Sequence, residues 1–237
     1  RQHGYHMSML FGIPNFYHRF GFVTTLAEYA TVMTLREASE VERPSYRARR
    51  SKPGDIRAIQ KMHGANDADV ACSLVRTGAH MANRWNFFSD NRVLTDDKGK
   101  VIAYFLPRTE EEVLRVSEMG VSGRHSCDAL LHACARMAGQ QQVGRLQFEA
   151  PPAHPFVQYL LRFKSTHEMR LQRNEGGMLA FVNLPEALEM LLPEWEGLLQ
   201  QAALRDAHVE VTLLVGRRPY RLRTHHGAID IAPGTSG

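Results

Sequence analysis

The middle of the sequence alternates short strand patterns with one long helix pattern, and this run constrains the fold more than any other feature. The short strand patterns at residues 92–95 and 101–105 flank the turn Asp96-Asp97-Lys98-Gly99, whose Asp and Gly residues are typical of a β-hairpin turn. A further strand pattern covers Val113–Val121, and another covers Leu146–Glu149. Together these segments predict an α/β (α+β) fold with a twisted, mostly antiparallel sheet.

The helix pattern in this run covers Ser126–Gln141 and supplies the flanking layer of the predicted fold. Leu130, Leu131 and Cys134 fall on one face at helical spacing, as expected of a helix that packs on a sheet. Ser126 is predicted to be the N-cap, because its hydroxyl can accept a hydrogen bond from the first turn.

Composition excludes several classes of protein. The chain has 237 residues, and a domain usually takes about 100–200, so one or two compact units are expected. No run of about 18 apolar residues is present, which argues against a membrane span. The first residues, Arg1 to His6, do not resemble a signal peptide, and the absence of an initial Met favours a fragment or a processed product.

Charge and cysteine content point to a cytoplasmic protein. Three cysteines, an odd number, favour a reducing compartment over a disulfide framework. The net charge is +4, with basic clusters at residues 47–52 and 217–223. Without interleaved aromatic side chains, these clusters are interpreted as solvated surface, and neither a nucleic acid nor a membrane is expected as a partner.

The remaining patterns suggest two boundaries along the chain. Strands are predicted at Ala30–Leu35 and Tyr46–Arg49, and a helix is predicted to begin at Pro53-Gly54-Asp55. Pro44 and the pair Gly176-Gly177 separate blocks of different pattern. After them come a helix over residues 184–199, interrupted or kinked at Pro193, and a small antiparallel meander over residues 209–231.

Three segments carry a resemblance to a known family. Asn15–Phe22, NFYHRFGF, resembles the Y-x-R-F-G-[FY] signature near the end of GNAT acetyltransferase domains. Tyr46–Asp55 resembles the start of a second such domain, and Met178–Leu188 resembles a linker into a sterol-carrier-protein-like domain. This order is similar to that of the "enhanced intracellular survival" type of GNAT N-acetyltransferase.

The resemblance implies a domain order and an activity. Residues 1–43 would be the end of a first, catalytic GNAT domain, residues 44–175 a second, degenerate one, and residues 176–237 part of a sterol-carrier-like domain. The parent protein would transfer acetyl from acetyl-CoA to a small primary amine and would form a homo-oligomer. Tyr17 matches the tyrosine that returns a proton to the CoA thiolate in that family, although a purely packing role for its ring stays open.

This sequence departs from the family pattern where the cofactor would bind. The phosphate-cradling R-x-x-G-x-[GA] loop is absent, and the junction Gly120–Ser126 has the wrong spacing for it. The general base expected at the family's C-terminus is absent as well. We therefore predict no cofactor-binding residues in this chain, no binding of CoA by the loop 120–126, and no activity of the chain alone. The alternative is a non-catalytic scaffold that binds a hydrophobic ligand or mediates oligomerisation.

Two further groups of residues are candidates for a metal site or a catalytic pair by their residue types. His125, Cys127, His132 and Cys134 have a spacing that suggests zinc, but they point around half of one helix and cannot converge by themselves, so no metal is expected. The run Glu110-Glu111-Glu112 is interpreted as a solvated edge and not as a catalytic pair.

Overall fold

The structure is a computed structural model that describes residues 4–70, 72–83, 90–202, 204, 206–216 and 218–234. Arg217, the first residue of the basic cluster 217–223, and the last three residues lie outside this part. The chain forms two compact units: unit 1 comprises Arg1–Thr25 and Gln172–Gly237, and unit 2 comprises Leu26–Leu171.

The elements of the described chain follow in order. The strands are β1 Met7–Gly12, β2 Val23–Leu26, β3 Glu28–Thr34, β4 Arg47–Arg50, β5 Arg92–Thr95, β6 Val101–Glu110, β7 Val113–Val121, β8 Arg145–Phe148, β9 Thr166–Arg170, β10 Gly176–Phe181, β11 Glu210–Val215, β12 Arg218–His225 and β13 Ala228–Pro233. The α-helices are α1 Leu35–Ala38, α2 Ile56–Asn66, α3 Gly78–Asn83, α4 Arg124–Gln140, α5 Pro155–Leu160 and α6 Leu184–Gln201. Short 3-10 helices cover Tyr17–Phe20 and Pro53–Asp55.

Unit 1 contains two three-stranded sheets, with strand orders β1-β10-β2 and β11-β12-β13. β1 and β10 are antiparallel, from the pair Met7 and Phe181 to the pair Gly12 and Gly176. The predicted meander is confirmed as β11, β12 and β13. Helix α6 packs on this second sheet through Leu184 and Leu188. The predicted helix is therefore confirmed, and Pro193 lies inside it without ending it.

Unit 2 is built on a seven-stranded sheet of order β4-β5-β6-β7-β8-β3-β9. Every neighbouring pair is antiparallel except β7 and β8, which run parallel. The parallel pairing stops at Val116 and Phe148, although β7 continues to Val121 beside β6. The sheet is therefore split between β7 and β8 along the last part of β7.

The core of unit 2 explains why these segments take these forms. Alternate residues of β6 and β7 face α4, including Leu114 and Val116, which are fully buried. On α4, Leu130, Leu131 and Cys134 are buried on the predicted face. A second, smaller cluster packs α2 and α3 on the other face of the sheet.

The unit limits differ from the predicted boundaries after residues 43 and 175. Strand β3 was expected to belong to the first domain, residues 1–43, whereas it hydrogen-bonds between β8 and β9 inside the sheet of unit 2. Pairing between strands so distant in sequence leaves no mark in the local pattern. The assignment of the predicted domains to named families stays a prediction.

No helix in the described ranges is long and apolar enough to cross a lipid bilayer.

Candidate functional site

A cleft of about 820 Å³ lies at the split in the unit 2 sheet. Its walls come from α2, the start of β6, the loop between β7 and α4, and α5. Met62, Val101 and Val121 give it an apolar side. Four cationic side chains line the same cleft: Lys61, Lys100, Arg124 and Arg162.

Beyond Val116, where β8 no longer pairs with β7, a side chain of α2 hydrogen-bonds to the edge of β7. The amide Nδ2 of Asn66 donates to the Val121 carbonyl oxygen at 2.9 Å, and the Val121 N–H donates to Asn66 Oδ1 at 2.7 Å. The next amide, that of Ser122, donates to Ile102 on the β6 side, so the two groups of Val121 point toward the split. Asn66 is only 9% exposed and takes the place of a missing strand at this position.

The loop between β7 and α4 is closed by its own hydroxyl group. Ser126 Oγ accepts hydrogen bonds from the amides of Ser122 and Gly123, both at 2.9 Å, and donates to the Gly123 carbonyl at 2.5 Å. The predicted N-cap was therefore wrong. Helix α4 begins at Arg124 with Gly123 as its N-cap, and Ser126 lies in the first turn and bonds back to the loop before it.

Two further buried groups stand beside the split. The imidazole of His154 is 2% exposed, and its Nδ1 accepts from the Phe156 amide at the start of α5. Burial lowers the pKa of His154 below its usual value, against weaker opposite effects of Asp67 and of the Met119 backbone. Burial raises the pKa of the Cys127 thiol to about 12, so this cysteine of the cleft is not a nucleophile at neutral pH.

The carboxylate on the last part of β7 is neutralised. Glu118 pairs with Arg76 at 2.5 Å, and both side chains are largely buried. Its other oxygen accepts from the Tyr104 hydroxyl at 3.3 Å. Both oxygens of the Glu118 carboxylate are therefore engaged by neighbouring side chains.

The structure places Tyr17, the predicted general acid, in unit 1. It opens the 3-10 helix Tyr17–Phe20, and its ring packs edge-on against Phe16 at 5.0 Å and Phe22 at 6.1 Å between ring centroids. Gly21 follows with φ of 85°, the left-handed turn that the sequence pattern predicts. No hydrogen bond to the Tyr17 hydroxyl is present among the described residues, so the ring is fixed while its O–H stays available.

Two other groups of residues named from the sequence lie in unit 2. His125, Cys127, His132 and Cys134 are spread along α4, and the described part of the chain holds no group of three or more potential metal ligands. Glu110 pairs with Arg115 at 2.8 Å, as a solvated edge would.

Sequence reasoning missed most of the cleft. Asn66 and the residues that line the cleft with it carry no local signal, because they come from α2, β6, β7, α4 and α5, which only the fold brings together. Of the cleft, the sequence pattern identified only the glycine-containing loop after β7.

No protein-family model matches the sequence, and no curated protein matches it. Solved structures do match the whole chain. A GCN5-related N-acetyltransferase from Kribbella flavida is 16% identical, with a TM-score of 0.63 over 100% of this chain and 58% of that one. A probable N-acyltransferase from Enterococcus faecalis is 12% identical, with a TM-score of 0.65 over 99% of this chain and 59% of that one.

A third match agrees with these two. A GCN5-related N-acetyltransferase from Anabaena variabilis is 13% identical, with a TM-score of 0.62 over 98% of this chain and 59% of that one. The chain thus spans less than two thirds of the length of each of these proteins. The chain has the fold of the GCN5-related N-acetyltransferases, which confirms the predicted mixed, mostly antiparallel sheet with flanking helices.

Proposed function

We propose that this chain is part of an N-acyltransferase that moves acetyl from acetyl-CoA to a small primary amine. The observation that carries the proposal is the sheet of unit 2, antiparallel except for one parallel pair that splits, in a chain whose whole length matches proteins named as N-acetyltransferases. In this proposal the chain is a piece of a longer protein, and residues 176–237 are part of a sterol-carrier-like domain.

Unit 2 is the non-catalytic copy of the fold in this proposal. An acyl-CoA held at the split would need the amides of the loop for its pyrophosphate and the edge of β7 for its pantetheine arm. Ser126 occupies the first, and Asn66 occupies the second. Glu118, the carboxylate of β7, is paired with Arg76. The residues present therefore do not fit an acyl-CoA bound along β7, and no step is assigned to this unit.

Tyr17 is the proposed general acid. Amine attack on a thioester carbonyl gives a tetrahedral intermediate whose sulfur leaves more readily when protonated. A packed ring, together with a hydroxyl that has no hydrogen-bond partner among the described residues, supports that role. The alternative, a packing residue only, predicts no effect of removing the hydroxyl.

The test is acetyl transfer by the full-length protein, measured as thiol release with a panel of polyamines and aminoglycosides. Tyr17→Phe should lower the rate by about 10²–10⁴-fold, the usual contribution of a positioned proton donor. Tyr5→Phe, at an exposed tyrosine of unit 1, is the matched control and should leave the rate unchanged. Near-normal turnover of Tyr17→Phe would return Tyr17 to a packing role. Turnover by the present chain alone would contradict the non-catalytic assignment of unit 2.

A scaffold or oligomerisation role is the second candidate, because one face of β1 is apolar and uncovered. Met7, Met9 and Phe11 alternate along the strand, Ile13 follows its end, and the four side chains are between 49% and 77% exposed. A contiguous apolar face of this kind is typical of a protein contact. Light scattering after gel filtration should detect self-association that Phe11→Glu abolishes. A monomer unaffected by Phe11→Glu would remove the support for a homo-oligomer.

A further inference from the structure

The segment of unit 1 that carries Tyr17 is tied at both ends to one turn, the turn that leads into β10. Before the 3-10 helix, the Asn15 amide donates to the Asn174 carbonyl oxygen at 3.1 Å. After the helix, the Thr24 hydroxyl donates to the Glu175 carbonyl oxygen at 3.0 Å. The chain between these two hydrogen bonds is therefore held as a loop against two adjacent residues of the turn.

The first of these ties uses side chains as well as backbone. Asn174 Nδ2 donates to Asn15 Oδ1 at 3.1 Å. Both residues have a left-handed backbone, with φ of 58° at Asn15 and 60° at Asn174. Among residues with a β-carbon, asparagine adopts this conformation more readily than most, and its short amide can form hydrogen bonds there. The side-chain bond thus couples two tight bends of the chain.

Packing alone does not hold the 3-10 helix in place. None of the four residues Tyr17–Phe20 is buried. The Tyr17 ring lies against β1, because a β-carbon added to Gly12 would be 3.1 Å from Tyr17 Cδ2 and 2.6 Å from Met178 Sδ. This contact fixes one side of the ring. The backbone from which the ring projects depends on the hydrogen bonds of the loop, and Asn15 lies only two residues before Tyr17.

We propose that Asn174 is a positioning residue for Tyr17. Its carbonyl oxygen and its side-chain amide hold Asn15, and Asn15 sets the direction in which the chain enters the 3-10 helix. A general acid acts only when its proton lies within hydrogen-bond reach of the leaving atom, here the CoA sulfur. A misplacement of about 1 Å can cost about 10²-fold in rate. The inference rests on the proposed function and names a second residue on which the Tyr17 hydroxyl depends.

The thiol-release assay with the full-length protein tests the inference. Asn174→Asp keeps the size of the side chain and replaces the donor Nδ2 by an oxygen that faces Asn15 Oδ1. This variant should lower kcat about tenfold, because the acid is displaced, and leave KM for acetyl-CoA unchanged, because no binding group is removed. Asn174→Gly keeps the left-handed backbone, removes the amide and should lower kcat in the same way.

Two control variants carry the same added charge as Asn174→Asp. Asn15→Asp keeps an oxygen that accepts from Asn174 Nδ2, so it should retain more activity than Asn174→Asp. Asn183→Asp changes a residue at the start of α6 whose side chain makes no capping hydrogen bond, and it should leave kcat unchanged. Thermal midpoints of all variants show whether each is folded.

A double substitution separates positioning from a general structural role. If Asn174 acts through the Tyr17 hydroxyl, Asn174→Asp should have no further effect on kcat once Tyr17→Phe has removed that hydroxyl. A structural role would lower kcat by the same factor in both backgrounds.

The outcomes distinguish failure of this inference from failure of the proposed function. A normal kcat for Asn174→Asp beside an impaired Tyr17→Phe would overturn the inference and leave the proposed general acid in place. Equal losses with and without the Tyr17 hydroxyl, or an equal loss with Asn183→Asp, would overturn it as well. Near-normal turnover of Tyr17→Phe, or no turnover by the full-length wild type, would overturn the proposed function and this inference together.

Discussion

Replacing Asn66 by Ala tests whether this side chain replaces a strand at the split of the sheet. The substitution removes the two hydrogen bonds with Val121, of 2.9 and 2.7 Å, and leaves an N–H and a C=O on a strand edge without a partner. Val121 is 3% exposed, so neither group meets bulk water in the native protein. The change leaves the rest of α2 intact, because alanine is a better helix former than asparagine.

The expected cost follows from these two groups. A buried polar group without a partner costs about 1–3 kcal/mol. Asn66 lines the cleft, so water can enter the space that alanine leaves and satisfy part of the edge. We therefore expect Asn66→Ala to lower the free energy of unfolding of unit 2 by about 2–3 kcal/mol, near the low end of the sum for two such groups.

Asn66→Asp separates the donor from the acceptor at constant size. The carboxylate still accepts from the Val121 N–H, but its second oxygen faces the Val121 carbonyl. This repulsion favours the protonated acid, which can donate, and so the folded-state pKa of the new carboxyl would lie above its unfolded value. A group of that kind contributes stability at low pH that is lost as the pH rises through the folded pKa. The Asp variant should accordingly approach the wild type on acidification.

Urea unfolding followed by tryptophan fluorescence and circular dichroism gives the free energies. Arg57→Ala, at an exposed position of the same helix, is the control and should stay within about 0.5 kcal/mol of the wild type. An Asn66→Ala variant as stable as Arg57→Ala would refute the strand-replacement argument.

Two further predictions concern stability in unit 2. Gly120→Ala should lower the free energy of unfolding by about 1–3 kcal/mol or more, because the new methyl group would lie 2.3 Å from the fully buried Tyr104 ring. Gly64→Ala in α2 should raise it by about 0.5–1 kcal/mol, because a methyl group there meets nothing within 4 Å. Chemical denaturation of both variants checks the opposite signs. Burial raises the pKa of Asp55, but hydrogen bonds from Arg49 and from the Lys52 amide outweigh it and leave the pKa below its usual value. The stability that Asp55 contributes is therefore present above its unfolded-state pKa and is lost as the pH falls through its folded-state pKa. Asp55→Asn should destabilise the protein at neutral pH, and its difference in stability from the wild type should shrink in acid. A difference that does not depend on pH would contradict the ion pair as its source.

Local patterns predicted the elements whose signals lie within a few residues. The hairpin of β5 and β6 is confirmed, and Asp96 Oδ1 accepts from the amides of Lys98 and Lys100, as its turn composition suggests. The strand over Val113–Val121 is confirmed with the same limits. Here the alternation of apolar residues, the turn chemistry and the packing all favour the same structure.

Pairing over long distances in sequence could not be predicted. The segment from Met178 was expected to be a linker, but Met178–Phe181 belongs to β10 and pairs with β1, a strand that sequence reasoning did not identify. Ser126 was misassigned for a related reason. Its hydroxyl group suits an N-cap, but it bonds to amides on the preceding loop, a choice that depends on how that loop turns.

The topology of unit 2 does not by itself identify a ligand for the cleft, because a ligand is selected by the side chains that line it. A parallel pair of strands that separates at Val116 leaves a cavity at the sheet edge whatever residues line it. In this chain the Asn66 carboxamide and the Ser126 hydroxyl satisfy backbone groups that the cavity would otherwise offer. Proteins that share the fold at 12–16% identity have no reason to share those particular side chains. The shared topology thus explains why a cleft exists, and the hydrogen bonds of Asn66 and Ser126 in this sequence determine which backbone groups of the cleft are already satisfied.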